Sequence, residues 1–201
     1  MRKLQSVDFR PRPCPIVRNF LGLAVTRFDP AHRDQQSFST MANSNVLENI
    51  RAFLDRNNVE YRQLHHEPTV TSEDSARVRG EDIRIGGKAL LLKVGGSFRL
   101  FVLSAALRID SRAIRTHFGV RKTRFANADE LKELTGLVPG SVPPFGQPVL
   151  PFELYIDESI LENDRIAFNA GSLTDSVFMA VEDYTRVANA SVFRFSLPPD
   201  S

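Results

Sequence analysis

The stretch Gly86-Gly87-Lys88-Ala89-Leu90-Leu91-Leu92-Lys93-Val94-Gly95-Gly96-Ser97-Phe98-Arg99-Leu100-Phe101-Val102-Leu103 reads as two apolar strands around a Gly-Gly turn. Glycine supplies the backbone freedom of a tight hairpin, and the flanking aliphatic and aromatic residues suit a pleated, half-buried surface. The pattern is that of a hairpin. Lys88 sits where two glycines deliver the chain into the first strand. A lysine there can place a compact positive charge against a phosphate or a carbonyl oxygen. It can equally be a surface lysine on an edge strand. The Gly-x-x-x-x-Gly-Lys-Ser/Thr spacing is absent, which excludes a Walker loop.

Working outward, helix and strand patterns alternate. Val46, Leu47, Ile50, Phe53 and Leu54 recur at helical spacing, with Asn43, Ser44 or Asn45 available as a cap and Asn57-Asn58 as a stop. Val59 to His65 alternates as a strand. Thr71-Ser72-Glu73-Asp74 opens a short helix, with hydroxyls for capping and carboxylates at its positive end, and Gly80 follows its C-terminal region. Downstream, Ser111 to Phe118 and Asn127 to Thr135 are predicted helices, the second with Leu131 and Leu134 inward. Val149 to Ile156, Arg165 to Asn169 and Ser176 to Val181 are predicted strands, and Glu182 to Val187 a terminal helix. No internal repeat or heptad is present. Residues 41–190 form one mixed α/β domain on this reading, with residues 191–201 as a tail.

Composition bounds the function. The 201 residues are 42% hydrophobic and 25% charged, ordinary for a globular protein. No apolar run approaches the roughly 18 residues of a membrane span. Cys14 is the only cysteine, so there is no internal disulfide and no multi-cysteine zinc site, and a reducing, cytosolic setting fits. Residues 1–40 hold seven basic and three acidic side chains, net +4, and the remainder is net −2. RNA contact by the domain should therefore be local, without a broad basic footprint. The leader lacks periodicity and carries Pro11, Pro13, Pro15 and Pro30, and Met41 looks like a natural start.

A second unusual stretch is Gly136-Leu137-Val138-Pro139-Gly140-Ser141-Val142-Pro143-Pro144-Phe145-Gly146, with three glycines and three prolines in eleven residues. Proline stiffens such a loop and glycine lets backbone approach a ligand. The segment is either a rigid turn or a loop that grips a ligand through its N–H groups. Other chemistry is thin. His65, His66 and His117 lack metal-ligand spacing, Gly-x-Ser-x-Gly and Gly-x-Gly-x-x-Gly are missing, and Glu73-Asp74 and Glu81-Asp82 read as solvated faces.

In order and spacing, residues 43–189 resemble the YbaK/ProX family, free-standing relatives of the editing domain inserted in bacterial prolyl-tRNA synthetases. The resemblance rests on Asn45 to Phe53, Glu67-Pro68-Thr69-Val70-Thr71-Ser72, Gly87 to Leu92, Val102-Leu103-Ser104 and Asp110-Ser111-Arg112. It continues through Leu137 to Gly146, whose Gly140–Pro144 matches the family's Gly-x-x-x-Pro pattern, and Phe168-Asn169-Ala170-Gly171-Ser172. It implies an α/β domain with helices around a curved, largely antiparallel mixed sheet. The implied activity is hydrolysis of a mischarged aminoacyl-tRNA ester of the Ala, Cys, Ser or Thr type, with no metal or nucleotide cofactor. The implied partners are the aminoacyl-tRNA 3′ end and a synthetase, without membrane or DNA.

By the same resemblance, Lys88 holds the tRNA 3′ end, and the Gly140–Pro144 loop sets backbone donors near the aminoacyl carbonyl. Asn169, Gly171 and Ser172 line the opposite wall, with Thr69, Thr71, Ser141, Phe145, Gly146 and Asp175 as further substrate-binding candidates. Orientation and oxyanion donors suffice for an activated ester, so the missing triad is compatible with catalysis. Members with a similar Asn-Ala-Gly-Ser segment often continue with histidine, where this chain has Leu173. Leu173 favours an alternative, a non-catalytic module that binds the tRNA acceptor end or a synthetase. A small-molecule hydrolase has no positive support.

Overall fold

The Gly95-Gly96 turn joins β2 (Gly87–Val94) to β3 (Ser97–Ser104), which pair antiparallel from Lys88 opposite Leu103 to Val94 opposite Ser97. This computed structural model describes residues 46–199; the expected extension over residues 1–40 and Met41 lie outside them. The other elements are α1 (Val46–Arg56), β1 (Tyr61–His65), α2 (Ser72–Arg79), a 3-10 turn (Ile83–Ile85), β4 (Arg108–Ile109), α3 (Ser111–Phe118) and β5 (Thr123–Phe125). They continue as α4 (Ala128–Thr135), β6 (Leu154–Ile156), α5 (Glu158–Leu161), β7 (Arg165–Asn169), β8 (Asp175–Ala180), α6 (Val181–Ala188), β9 (Ser191–Val192) and β10 (Ser196–Leu197).

The hairpin anchors a five-stranded mixed sheet in the order β5-β2-β3-β6-β9, where β6 runs parallel to both β3 and β9. A three-stranded antiparallel ladder, β1-β8-β7, adjoins it through one parallel bridge between Gly86 and Ala167. Gly87 permits that approach to β7, and Gly86 permits close packing on the segment after β3. A β-carbon at Gly86 would lie 2.7 Å from Ala105 Cβ, and one at Gly87 would lie 2.6 Å from Ile166 Cδ1. The fold is thus the expected mixed α/β domain, with an open sheet.

Strand alternation sorts the core. Ala89 and Leu91, with Leu100 and Val102, face a large cluster containing Ile50 and Leu54 of α1, Phe145, Ile166, Phe168, Val177 and Tyr184. Leu90, Leu92 and Val94 face the other way, with Phe101 and Leu103, onto Ile114 of α3 and Phe195. Lys88 shares that second face by register.

Three expectations are corrected. Only Leu154–Ile156 of the stretch 149–156 is a strand, because the N–H groups of Val149 and Leu150 both turn back to the Gly146 carbonyl, and Pro151 has no N–H. Leu134 is 37% exposed, so Leu131 alone carries the buried face of α4. Residues 191–197 are not a loose tail: β9 and β10 pair with β6 and β4, and Phe195 is fully buried. Buried Asp157 holds this return, its carboxylate accepting from the Phe195 N–H at 2.5 Å and the Ser196 hydroxyl at 2.8 Å. Among the described residues, no helix is long and apolar enough to cross a membrane.

Candidate active site

Helix α2 starts where the sequence predicts. Thr71 Oγ1 accepts the Asp74 N–H at 3.0 Å, and Gly80 closes the helix in the left-handed region. Ser72, Ser75 and Arg79, at i, i+3 and i+7, share one face of this helix, and that face walls a cleft of about 220 Å³. The mouth of β2, with Gly86, Gly87 and Lys88, forms the second wall. Gly140, Val142 and Asn169 form the third.

Lys88 is half-buried, and its Nζ donates to the Leu107 carbonyl at 2.5 Å. Burial lowers its pKa from the ordinary lysine value, and the nearby Glu73 charge acts in the opposite sense. A desolvated ammonium gains more from a phosphate than a solvated one does, since less water screens the pair.

The Gly/Pro loop is held from several sides. Ser141 N–H and Oγ both donate to the Val138 carbonyl, the Gly171 N–H donates to the Ser141 carbonyl at 3.0 Å, and buried Tyr184 donates its hydroxyl to the Pro144 carbonyl at 2.7 Å. Gly140 has φ +88, a conformation that L side chains rarely adopt. Among the described residues, the N–H groups of Gly140 and Val142 have no hydrogen-bond acceptor. Unpaired main-chain donors are rare where the backbone is buried, as at Val142; Gly140 is exposed, and both residues line the cleft.

Asn169 ends β7 against the loop, where its Nδ2 donates to the Gly140 carbonyl at 2.9 Å. On its other side Oδ1 accepts from Arg79 Nη2 at 2.7 Å, while Arg79 Nε donates to Ser176 Oγ at 2.9 Å. Burial brings the Arg79 guanidinium down to about 10. Sequence reading singled out neither Arg79 nor Ser75. The available signal was the polar i, i+3, i+7 stripe on a helix whose only buried residue is Ser75.

Of the residues singled out from sequence, Lys88, Thr71, Gly140 and Asn169 meet at the cleft. Thr69 lies beneath it, buried, its Oγ1 accepting from Ser75 Oγ at 2.9 Å and its N–H donating to the Leu173 carbonyl. Ser141, Pro144 and Phe145 are buried in the loop's own packing, the Phe145 ring against Phe53, Phe168 and Tyr184. Gly146 lines a separate cavity beside Phe152 and Tyr155. Gly171 packs on α1, and a β-carbon there would lie 2.7 Å from Val46 Cβ. Ser172 and Asp175 bond each other at 2.7 Å in the β7–β8 turn, where Asp175 also meets His65 at 3.1 Å. Leu173 leans on the loop, with Cδ2 3.2 Å from where a Gly140 β-carbon would stand.

Comparison with known proteins bears on the same region. The Multifunctional Ser/Thr-tRNA deacylase ProXp-y of Escherichia coli strain K12 is 34% identical over 162 residues, covering 77% of this chain and 96% of that protein. The Prolyl-tRNA editing protein ProX of Acetoanaerobium sticklandii is 25% identical over 152 residues, covering 72% and 93%. A crystal structure described as a candidate trans-editing enzyme for prolyl tRNA synthetase shares the fold, with TM-score 0.66 and 22% identity over 78% of this chain and 99% of that one. The model of the aminoacyl-tRNA editing domain matches residues 66–187, a span containing every residue that lines the cleft. The chain belongs to the aminoacyl-tRNA editing domain family.

Proposed function

We propose that this domain is a trans-editing hydrolase that cleaves the ester of a mischarged aminoacyl-tRNA bearing an Ala-, Cys-, Ser- or Thr-type group. The observation that carries this reading is a single cleft with a half-buried ammonium on one wall and two unpaired loop N–H groups belonging to the other. Lys88 would hold a phosphate of the 3′ end. The Gly140 and Val142 N–H groups would receive the negative charge that develops on the ester oxygen as water attacks. The hydroxyls of Thr71, Ser72 and Ser75 make the remaining wall small and polar, which suits a small aminoacyl group. The reaction belongs in the cytoplasm, where charged tRNA is used and a synthetase is the natural partner.

A local positive face supports an RNA substrate. Residues 108–124 carry Arg108, Arg112, Arg115, Arg121, Lys122 and Arg124 against Asp110 alone. Among the described residues Arg112, Arg115, Arg121 and Lys122 make no ion pair, whereas Arg62, Arg77, Arg84, Arg99, Arg165 and Arg186 each do. Helix α3 packs through Ile114 on the sheet face that Lys88 shares by register. Phosphate contacts of this kind add affinity without reading sequence. Purified protein assayed against a panel of mischarged tRNAs tests the reading: rapid loss of one or more small aminoacyl groups is expected, and stability of every ester would overturn it.

A further inference from the structure

Arg79 is the one half-buried arginine of the cleft, and among the described residues no carboxylate lies within ion-pair distance of it. Its hydrogen-bond acceptors are all neutral: Ser176 Oγ, Asn169 Oδ1 and, at 3.5 Å, the Ala167 carbonyl. Desolvating a charge without a counter-ion is unfavourable, and packing alone would be better served by a neutral side chain. The charge therefore calls for another explanation.

The explanation lies in what a guanidinium cannot do. It only donates, so Asn169 must present Oδ1 to it. The amide's Nδ2 is thereby turned to the opposite side, where it reaches the Gly140 carbonyl at 2.9 Å. Ser176 reinforces the same orientation, its Oγ lying 3.3 Å from Oδ1. The Gly140 carbonyl belongs to the peptide unit that lies between the unpaired N–H groups of Gly140 and Val142. Holding that unit by its oxygen fixes the plane to which the two flanking peptides, and with them both N–H groups, are joined.

Resting on the deacylase reading above, we propose that Arg79 is a positioning residue for ester hydrolysis. It locks the Asn169 amide so that the Gly140–Ser141 peptide keeps the Gly140 and Val142 N–H groups aimed into the cleft. Arg79 touches no substrate in this scheme and acts through Asn169.

Three variants of the full chain test this: Asn169→Asp, Arg79→Met and Arg79→Lys. Asn169→Asp still accepts from Arg79 and now neutralises its charge, but it cannot donate to the Gly140 carbonyl. Its melting temperature should hold or rise while single-turnover deacylation falls roughly ten- to a hundred-fold, the scale of misaiming an oxyanion donor. The half-saturating tRNA concentration should move less than about twofold, because the donors act in the transition state. Arg79→Met should lose rate in the same way, and Arg79→Lys, whose single nitrogen does not span Ser176 Oγ and Asn169 Oδ1 as the planar fork does, should lie between. Wild-type turnover in Asn169→Asp, or losses of rate that track losses of melting temperature in all three, would overturn the proposal. If the wild-type protein deacylates nothing, the deacylase reading fails separately. The clamp is then judged by amide NMR: altered Gly140 and Val142 resonances and exchange in Asn169→Asp support it, and unchanged ones overturn it.

Discussion

The Nζ of Lys88 donates to the carbonyl oxygen of Leu107 at 2.5 Å, so the ammonium proposed to hold the tRNA end is already tied to its own chain. That bond uses one of three N–H donors and leaves two for a phosphate. Leu107 leads into β4 and the Asp110 cap of α3, and the basic face begins at the same place.

Replacing Lys88 with alanine should cut deacylation roughly tenfold or more, each tenfold corresponding to about 1.4 kcal/mol, with the fold retained. Lys88→Arg should recover only part, since a planar fork does not reproduce a compact ammonium at that carbonyl. Normal turnover by the alanine variant would remove Lys88 from the site.

Binding should weaken with rising pH sooner than an ordinary lysine would dictate. Burial lowers the Lys88 pKa, and a bound phosphate raises it again by favouring the charged form. The complex then holds more protons than the free protein across that interval, so affinity falls by up to about tenfold per pH unit there. Titrating a non-hydrolysable aminoacyl-tRNA analogue checks this without interference from spontaneous ester hydrolysis. Lys88→Arg should flatten the profile, and an unchanged profile would argue that Lys88 carries no phosphate.

Gly140→Val should lower turnover roughly ten- to a thousand-fold. Stability falls as well, because a non-glycine residue at φ +88 carries about 1–2 kcal/mol of backbone strain and its β-carbon crowds Leu173 Cδ2 at 3.2 Å. Melting temperature and single-turnover rate measured on the same sample separate the two effects. Equal activity per folded molecule would make the loop purely architectural.

Charge reversal at Arg112, Arg115, Arg121 and Lys122 should weaken tRNA binding and reduce the salt slope by roughly 0.7 to 0.9 for each lost phosphate contact. Cleavage of a short aminoacyl-CCA ester should be spared, since these side chains lie outside the cleft lining. A salt slope equal to that of the wild type would exclude the face as an RNA contact.

The elements legible in the sequence were those with local causes. The Gly95-Gly96 hairpin, the Thr71 cap and the Gly80 stop each depend on residues within a few positions, and all three form as predicted. Asn127 and Glu130 likewise make a reciprocal capping box. What was not legible depends on distant partners. Nothing near Phe195 announces that Asp157, far upstream, will hold its N–H, and nothing near Val149 shows that its N–H will return to Gly146. The cleft follows the same rule. Lys88 and Gly140 stand out by composition, whereas Arg79 looks like any helix-terminal arginine until the fold brings Asn169 beside it.

Tyr184 is fully buried, and its hydroxyl holds the Pro144 carbonyl from inside the large core, next to the Phe145 ring. The Pro144 end of the Gly/Pro loop is thus moored to the same packed interior that keeps α1, α6 and β7 together. A segment fastened in this way has little route to open by itself; its slowest amide protons should exchange only when the whole domain melts. On the proposed reading, an aminoacyl group would meet a mould that is already set, and discrimination would fall to shape rather than to a moving gate.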